Sequence, residues 1–208
     1  MLQTKTLSYH YTPNVQLTFP DITLSFHENL LILGPSGVGK TTLLHLLGGL
    51  LKPTAGTINI QNVAIDKLSQ KKLDAFRGKH IGIVFQKGTF IKSLSVIDNI
   101  KAKLFFSKAS VSDAEIKDIL TTLGLAEKIN SKVRELSEGQ KQRLSIAIAL
   151  CNKPDVILAD EPTASLDDEN AKNVIELLST YAKEKQANLV VITHDHRIKE
   201  YFANTIML

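Results

Sequence analysis

One octapeptide constrains the fold of this chain more than any other feature: residues 34–41 read GPSGVGKT. This segment matches G-x-x-x-x-G-K-[ST], the phosphate-binding P-loop pattern. The apolar residues 30–33 before it predict a buried strand, and residues 42–47 after it predict a helix. A glycine-rich turn that binds nothing is the alternative, and it is disfavoured because every fixed position is matched in a strand–loop–helix context. The segment therefore predicts an α/β fold with an anion-binding loop.

The residue types of this loop suit the phosphates of a nucleoside triphosphate. Glycines allow successive backbone N–H groups to point inward, and the following helix directs its N-terminal dipole at the same place. Lys40 supplies a mobile positive charge for the outer phosphates, and Thr41 supplies a hydroxyl for Mg²⁺. The predicted nucleotide-binding residues are Gly34, Pro35, Ser36, Gly37, Val38, Gly39, Lys40, Thr41 and Thr42.

Two acidic residues, Asp160 and Glu161, follow the apolar residues 156–159, which predict a second buried strand. Ligands of open α/β sheets bind at the carboxyl ends of the strands. We therefore expect Asp160 to hold Mg²⁺ through water opposite Thr41, and Glu161 to polarise a water against the terminal phosphate. A solvated acidic pair is the alternative, and the upstream P-loop disfavours it.

The composition limits the classes of protein to which this chain can belong. With 208 residues, 43% hydrophobic and 22% charged, the chain is long enough for one sizeable soluble domain, predicted to span residues 1–208. Its net charge of +4 suits an anionic ligand, but the basic residues form no stripe with interleaved aromatics, so no nucleic-acid partner is expected. The single cysteine, Cys151, excludes an internal disulfide and is expected to be buried.

Apolar runs separated by helical patterns indicate a parallel sheet covered on both faces. The runs that predict its strands are residues 30–33, 81–85, 156–160 and 189–193. Residues 1–27 alternate polar and apolar side chains around a turn at residues 12–14, so they predict short antiparallel strands. Residues 57–60 return to a strand pattern after the P-loop helix.

Helical patterns fill the middle of the chain. Residues 87–131 are poor in strand signals and predict a helical insertion. Capping-box patterns at Ser112 and Ser137 mark the starts of two helices. We therefore expect a helical subdomain over about residues 87–150, and a later helix over residues 173–185.

Residues 136–140, LSEGQ, resemble the L-S-G-G-Q signature of ATP-binding cassette ATPases, the motor subunits of ABC transporters. Other motifs of that family match in order: Gln86 is similar to the Q-loop glutamine, residues 164–167 to the D-loop and His194 to the switch histidine. The resemblance extends from about Leu7 to His194. It implies a P-loop NTPase fold with a mainly parallel core sheet, an N-terminal antiparallel β subdomain and a helical insertion.

The resemblance also implies which residues bind ATP and Mg²⁺ and which take part in hydrolysis. Glu161 would act as the base, His194 would hold the γ-phosphate and the attacking water, and Gln86 would link the γ-phosphate to the helical insertion. Gln86 also joins Thr41 and Asp160 among the implied metal ligands. The signature segment would meet the nucleotide of a second copy, so that a two-fold dimer encloses two ATP molecules. The residues implied to act in trans are Ser137, Gly139, Gln140 and Asp167.

Two positions and one segment depart from the family pattern. Glu138 replaces the first signature glycine and brings a carboxylate near the incoming phosphate. Ile148 stands where many relatives carry arginine. Residues 87–95 lack the usual proline in a region that normally faces the membrane partner, so the identity of that partner stays open.

Two further motifs require a choice between alternatives. Residues 7–11, LSYHY, resemble the L-S-x-x-Y of relatives, which makes Tyr11 the predicted aromatic that stacks on adenine, with Tyr9 as the alternative. Residues 152–155, NKPD, match the guanine-reading N-K-x-D motif of small GTPases. In GTPases that motif follows the Mg²⁺-binding acid, whereas here it precedes Asp160, so we expect a turn and not a GTPase.

The function that the resemblance implies is an ATPase subunit that powers a separate integral membrane permease. The chain has no signal-peptide pattern and no run of about 18 apolar residues, so another chain must do the spanning. We expect a cytoplasmic protein, peripheral on the inner face of the cell membrane. A soluble switch ATPase acting on DNA or ribosomes is the alternative, but such relatives usually carry two cassettes or a long coiled-coil insertion.

The subtype of transporter is a further expectation. The chain continues only to Leu208 beyond His194, which leaves no room for the C-terminal regulatory domain of many sugar and metal importers. Residues 43–50 also resemble the compact cassettes of lipoprotein-releasing and macrolide-exporting systems. Export or lipoprotein extrusion is therefore expected, and an amino-acid-type importer stays open because some of those are nearly as small.

Overall fold

The computed structural model describes residues 1–12, 14–164 and 166–208. Within them, strands and helices form two five-stranded sheets and the helices that cover them. The strands are β1 (Leu2–Thr12), β2 (Val15–Thr18), β3 (Thr23–Leu24), β4 (Asn29–Leu33), β5 (Ala55–Ile60), β6 (Val63–Ala64), β7 (Ile81–Val84), β8 (Val156–Asp160), β9 (Asn188–Thr193) and β10 (Asn204–Met207). The α-helices are α1 (Lys40–Leu47), α2 (Gln70–His80), α3 (Val96–Ser107), α4 (Asp113–Thr122), α5 (Glu138–Leu150) and α6 (Asp168–Lys185).

The central sheet is parallel throughout, in the order β10-β4-β9-β8-β7. Its three middle strands, β4, β9 and β8, are buried almost completely, as their nearly continuous apolar sequences require. In register, Leu33 lies beside Thr193 and Ile192 lies beside Asp160. The P-loop, the acidic pair and His194 therefore leave three neighbouring strands at the same edge of the sheet.

The N-terminal strands form the second sheet, in the order β2-β1-β5-β6 with β3 also paired to β1. All of these pairs are antiparallel, as the alternating sequence predicts. The predicted turn between β1 and β2 includes Pro13, which lies outside the described residues. The predicted combination of a parallel core sheet, an antiparallel β subdomain and a helical insertion is confirmed.

Two hydrophobic clusters lie on opposite faces of the parallel sheet. On one face, α1 packs between the two sheets, and its four leucines, at positions 43, 44, 46 and 47, are fully buried. On the other face, residues of α3, α4, α5 and α6 join one continuous cluster with the sheet. Burial on two sides explains why six of the eight residues of α1 are buried.

Both predicted capping boxes are present in the helical segment. The Ser112 hydroxyl accepts the Glu115 N–H at the start of α4, and the Glu115 carboxylate accepts the Ser112 N–H in return. The last turn of α5 lies directly on the sheet, since a Cβ placed on Gly82 of β7 would stand 2.4 Å from the Ala149 carbonyl. The helical subdomain over about residues 87–150 therefore shares its core with the sheet, and its boundary stays a prediction.

Helix α2, strand β10 and the start of α6 differ from the sequence prediction. Helix α2 was not predicted because none of its residues is buried, so it has no apolar stripe. Strand β10 was missed because it is only four residues long and half exposed. Helix α6 begins at Asp168 and not at residue 173, because Asp167 caps it by accepting the Asn170 N–H at 2.8 Å. Among the residues that the structure describes, no helix is long and apolar enough to cross a membrane.

Candidate functional site

The P-loop between β4 and α1 is shaped by glycines in the left-handed region of backbone conformation. Gly37 has φ +85° and Gly39 has φ +103°, which residues with a Cβ rarely adopt. A Cβ on Gly37 would meet nothing within 4 Å, so the space beside this glycine is open. A glycine-rich loop at the N-terminus of α1 fits the phosphates of a nucleotide.

Lys40 at the first turn of α1 is buried beneath the loop. Its Nζ donates to the carbonyl oxygens of Gly34 and Pro35, at 2.8 and 2.9 Å. It also lies 3.7 Å from Glu161 Oε1. The cation is thus held by its own loop, close to the position where phosphate oxygens would replace those carbonyls.

Thr41 and Asp160 lie opposite each other across the carboxyl ends of β4 and β8. The Thr41 hydroxyl donates to Asp160 Oδ2 at 3.0 Å. Burial raises the pKa of Asp160, against the lowering effect of that hydrogen bond. Asp160 Oδ1 is buried and has no hydrogen-bond donor among the described residues. A buried, unpartnered carboxylate oxygen beside a hydroxyl is the oxygen donor set that Mg²⁺ prefers, so these residues fit the predicted metal.

Glu161 follows Asp160 with φ +49°, a left-handed conformation that few non-glycine residues adopt. Its side chain is only 9% exposed, and Oε1 lies 2.9 Å from His194 Nδ1. Oε2 accepts the Thr193 hydroxyl at 2.7 Å. Burial alone would raise the pKa of Glu161, but the hydrogen bonds from His194 and Thr193 outweigh it and the pKa is lowered. The carboxylate is therefore held in its ionised, proton-accepting form.

Gln86 lies on the segment after β7 and is exposed. It lines a groove with Arg134, Glu138 and Leu166, between the sheet and the start of α5. Among the described residues it forms no hydrogen bond with the other predicted metal ligands. The role of Gln86 as a metal ligand stays a prediction.

The signature segment forms the start of α5. Ser137 and Gln140 make the predicted capping box, with the Ser137 hydroxyl accepting the Gln140 N–H at 3.3 Å. No hydrogen bond or ion pair joins this segment to the P-loop within the described part of the chain. A Cβ on Gly139 would meet only an Arg143 nitrogen, at 3.9 Å, so packing within this chain does not require a glycine there. The exposed Glu138 is paired with Lys141 at 2.7 Å.

The predicted D-loop is described only in part, because Ser165 lies outside the described residues. Asp167 is the N-cap of α6, and its hydrogen bonds to Asn170 lower its pKa. This role within the chain was not predicted from the sequence. The predicted contact of Asp167 in trans stays a prediction.

Tyr11 stands beside the P-loop helix. Its hydroxyl and that of Thr42 are 2.8 Å apart, and 56% of Tyr11 is exposed. Tyr9 packs edge-on against it, with ring centroids 4.9 Å apart. The exposed ring next to the loop favours Tyr11 over Tyr9 as the aromatic that stacks on adenine.

The remaining motifs have structural explanations. Residues 152–155 form the predicted turn, in which Asn152 donates to the Gly78 carbonyl at 2.6 Å and Asp155 lies 2.5 Å from His80 Nδ1. Cys151 is buried, and burial raises the pKa of its thiol to about 12. In the described ranges, no cluster of three or more His, Cys, Asp or Glu residues could hold a metal ion.

Sequence reasoning missed a network that supports the site from the turn after β9. Thr163 donates to Asp195 Oδ2 at 2.9 Å, and the Arg197 guanidinium also binds the Asp195 carboxylate. The Asp195 N–H in turn donates to the Thr193 hydroxyl at 2.9 Å. A threonine at the end of a strand looks like an ordinary strand residue, so the sequence carried no signal for this arrangement.

Comparisons with known proteins agree with this geometry. A family model described as ABC transporter matches residues 18–164. The chain belongs to this family. The lipoprotein-releasing system ATP-binding protein LolD of Legionella pneumophila (strain Lens) is 38% identical over 190 residues, which cover 90% of this chain and 84% of that protein.

Solved structures of this family match the whole chain. The dimeric structure of the ABC transporter cassette MJ0796 has a TM-score of 0.90 and 31% identity, and the match covers 100% of this chain and 94% of that one. A post-hydrolysis MJ0796 dimer bound to ADP and Pi matches with a TM-score of 0.88, 32% identity and the same coverage. The chain is thus an ABC-family ATPase that binds and hydrolyses ATP.

Proposed function

We propose that this chain is the ATPase subunit of a lipoprotein-releasing transporter, in which it drives a separate membrane permease from the cytoplasmic face. LolD relatives, which are named for this role, align over most of both chains. The single observation that carries the catalytic part is the convergence of Lys40, Thr41, Asp160 and Glu161 at one edge of the parallel sheet.

Each residue of the site has a separate role in the proposed reaction. The glycine loop binds the phosphates, and Lys40 exchanges the Gly34 and Pro35 carbonyls for phosphate oxygens. Thr41 and Asp160 would hold Mg²⁺, which supplies positive charge against the phosphate oxygens. Glu161, ionised at neutral pH, accepts the proton of the attacking water. His194 orients that water and the γ-phosphate, and Gln86 links the γ-phosphate to the helical segment.

The catalytic unit in this proposal is a two-fold dimer with two ATP molecules at its interface. Ser137 and Gly139 lie on the exposed start of α5, where no residue of the same chain requires a glycine. A helix N-terminus attracts phosphate, so this end of α5 suits the nucleotide bound by a second copy. Asp167 and Gln140 belong to the same predicted face. The dimeric MJ0796 cassette supports this arrangement.

The experiment that tests the catalytic assignment is the substitution Glu161→Gln. The amide keeps the size of the side chain but cannot accept a proton, so we expect a fall in kcat of about 10²-fold or more, with ATP still bound. Fluorescent-nucleotide titration and phosphate release measure the two quantities. Lys40→Ala is the matched control, because it should lose ATP binding itself. A Glu161→Gln variant with near-normal kcat would disprove the proposed role of Glu161.

A further inference from the structure

Thr193, the last residue of β9, is in contact with the Glu161 carboxylate, the proposed catalytic base. It is 0% exposed, so no solvent molecule can replace its contacts. Its Oγ1 lies 2.7 Å from Glu161 Oε2 and 2.9 Å from the Asp195 backbone nitrogen. Thr193 thus connects Glu161 to the backbone of the turn after His194.

The direction of both hydrogen bonds is fixed by chemistry. The Asp195 N–H can only donate, so it occupies a lone pair of the Thr193 hydroxyl. An ionised carboxylate can only accept, so the hydroxyl proton must point at Glu161 Oε2. The hydroxyl cannot turn away without leaving a buried acceptor or donor unpaired.

Two other side chains contact the Glu161 carboxylate, those of Lys40 and His194, and both bind other groups in the proposed function. Lys40, 3.7 Å away, must move to the phosphates when ATP binds. The His194 side chain is 57% exposed, and in the proposed function it turns to the γ-phosphate. Thr193 is buried in the sheet and has no contact with phosphate in the proposed function. Of the side-chain contacts of Glu161, it is therefore the one that remains when the nucleotide is in place, and the His194 backbone N–H, 3.4 Å from Oε2, supplements it.

The turn that orients Thr193 is itself fixed by side chains. Asp195 accepts hydrogen bonds from the Thr163 hydroxyl at 2.9 Å and from the Arg197 guanidinium at 2.8 and 2.9 Å. These contacts hold the Asp195 N–H toward Thr193. Positioning of this kind matters because a displacement of a reacting group by about 1 Å costs as much as 10²-fold in rate.

We propose that Thr193 is the positioning residue of ATP hydrolysis, whose hydroxyl fixes the Glu161 carboxylate for proton abstraction from the attacking water. This inference rests on the proposed role of Glu161. It assigns Thr193 no contact with ATP or with the metal. Loss of the hydroxyl should therefore affect the chemical step and leave nucleotide binding unchanged.

The test compares Thr193→Val, which removes only the hydroxyl, with Thr193→Ser, which keeps it. In the full-length protein we expect Thr193→Val to lower kcat roughly 10- to 100-fold while KM for ATP changes less than about twofold. Thr193→Ser should retain kcat within about threefold of wild type. Thr4→Val is the matched control: Thr4 is 1% exposed, and the variant likewise loses a hydroxyl that accepts a backbone hydrogen bond, from the Ile22 N–H, but in the antiparallel sheet. Its kcat should equal that of wild type.

A double variant separates this inference from the proposed function. In the Glu161→Gln background, Thr193→Val should cause no further loss of the residual turnover, because both changes act through one carboxylate. An inactive Glu161→Gln variant together with a fully active Thr193→Val variant would overturn the positioning role alone. Equal losses in Thr193→Ser and Thr193→Val would overturn it as well. Should the valine variant fail to fold, Thr193→Ala removes the same hydroxyl.

Discussion

At the scale of single residues, Asp195 shows how firmly the turn after β9 is anchored. Its carboxylate accepts hydrogen bonds from the Arg197 side chain and backbone and from the Thr163 hydroxyl. The Arg197 contacts are the main reason that the pKa of Asp195 falls from 3.8 to about 2. Arg197 also pairs with Asp168 at the start of α6, which ties this turn to the predicted D-loop.

The lowered pKa gives a pH-dependent prediction. Because the folded-state pKa of Asp195 lies below its unfolded value of 3.8, its stabilising effect is present above that pH and is lost as the pH falls toward about 2. Asp195→Asn should therefore reduce the free energy of unfolding most at neutral pH. In urea unfolding, the difference from wild type should shrink as the pH is lowered below about 4. A difference that stays constant with pH would contradict the assignment.

The residues of the site differ in how far their roles can be predicted from the sequence. Lys40, Thr41, Asp160 and Glu161 belong to patterns whose spacing and strand context carry their chemistry, and the structure brings them together as expected. Thr193 could not be found in this way, because its role depends on two strands that are distant in the chain but adjacent in the sheet.

At the scale of elements, the start of α5 has two roles that can be separated. Within the chain, Ser137 and Gln140 cap the helix. Toward a second copy, the same exposed end would approach phosphate. A change that adds bulk and charge there should block the second role and leave the fold largely intact.

We therefore predict that Ser137→Arg prevents ATP-dependent dimerisation. The long cation would occupy the space that phosphate must enter, and losing the cap would destabilise the helix by only about 1 kcal/mol. Light scattering of the Glu161→Gln, Ser137→Arg double variant with ATP measures the effect against Glu161→Gln alone. Ser112→Arg, at the capping box of α4, is the matched control and should still dimerise. Undiminished dimers would mean that α5 faces elsewhere.

Elements were predictable where burial or capping leaves a recognisable pattern in the sequence. The apolar strands β4, β8 and β9 and the capped helices α4 and α5 were predicted from such patterns. Helix α2 buries none of its residues and β10 is short, so neither has a period to detect. The first turn of α6 was missed because its cap, Asp167, was interpreted only as part of a family motif.

At the scale of the whole molecule, the family and its fold followed from the order of the motifs, but the transporter subtype rests on relatives. LolD proteins, named for lipoprotein release, cover nearly the whole chain. In the proposed function, residues 87–95, which depart from the family pattern, would face the permease. Identification of the partner is therefore the test of the proposed subtype.

We predict that the tagged protein, pulled down from detergent-solubilised membranes, recovers a permease with a large folded domain outside the membrane. Reconstitution with that permease should raise the ATPase activity, because the partner stabilises the closed dimer. The Lys40→Ala variant is the control: it should still recover the permease, but without any gain in activity. Recovery of a multi-span importer with a solute-binding protein would instead assign this chain to import.

The position of β4 in the sheet has a consequence for the order of events during synthesis. The P-loop strand pairs on one side with β9 and on the other with β10, so Leu31 lies between Val191 and Thr205. While the ribosome is still adding these late residues, both edges of β4 lack their strands, and long-range parallel pairing forms slowly. The nascent chain therefore carries the complete phosphate-binding motif long before it has a pocket, and ATP can stabilise only the finished protein.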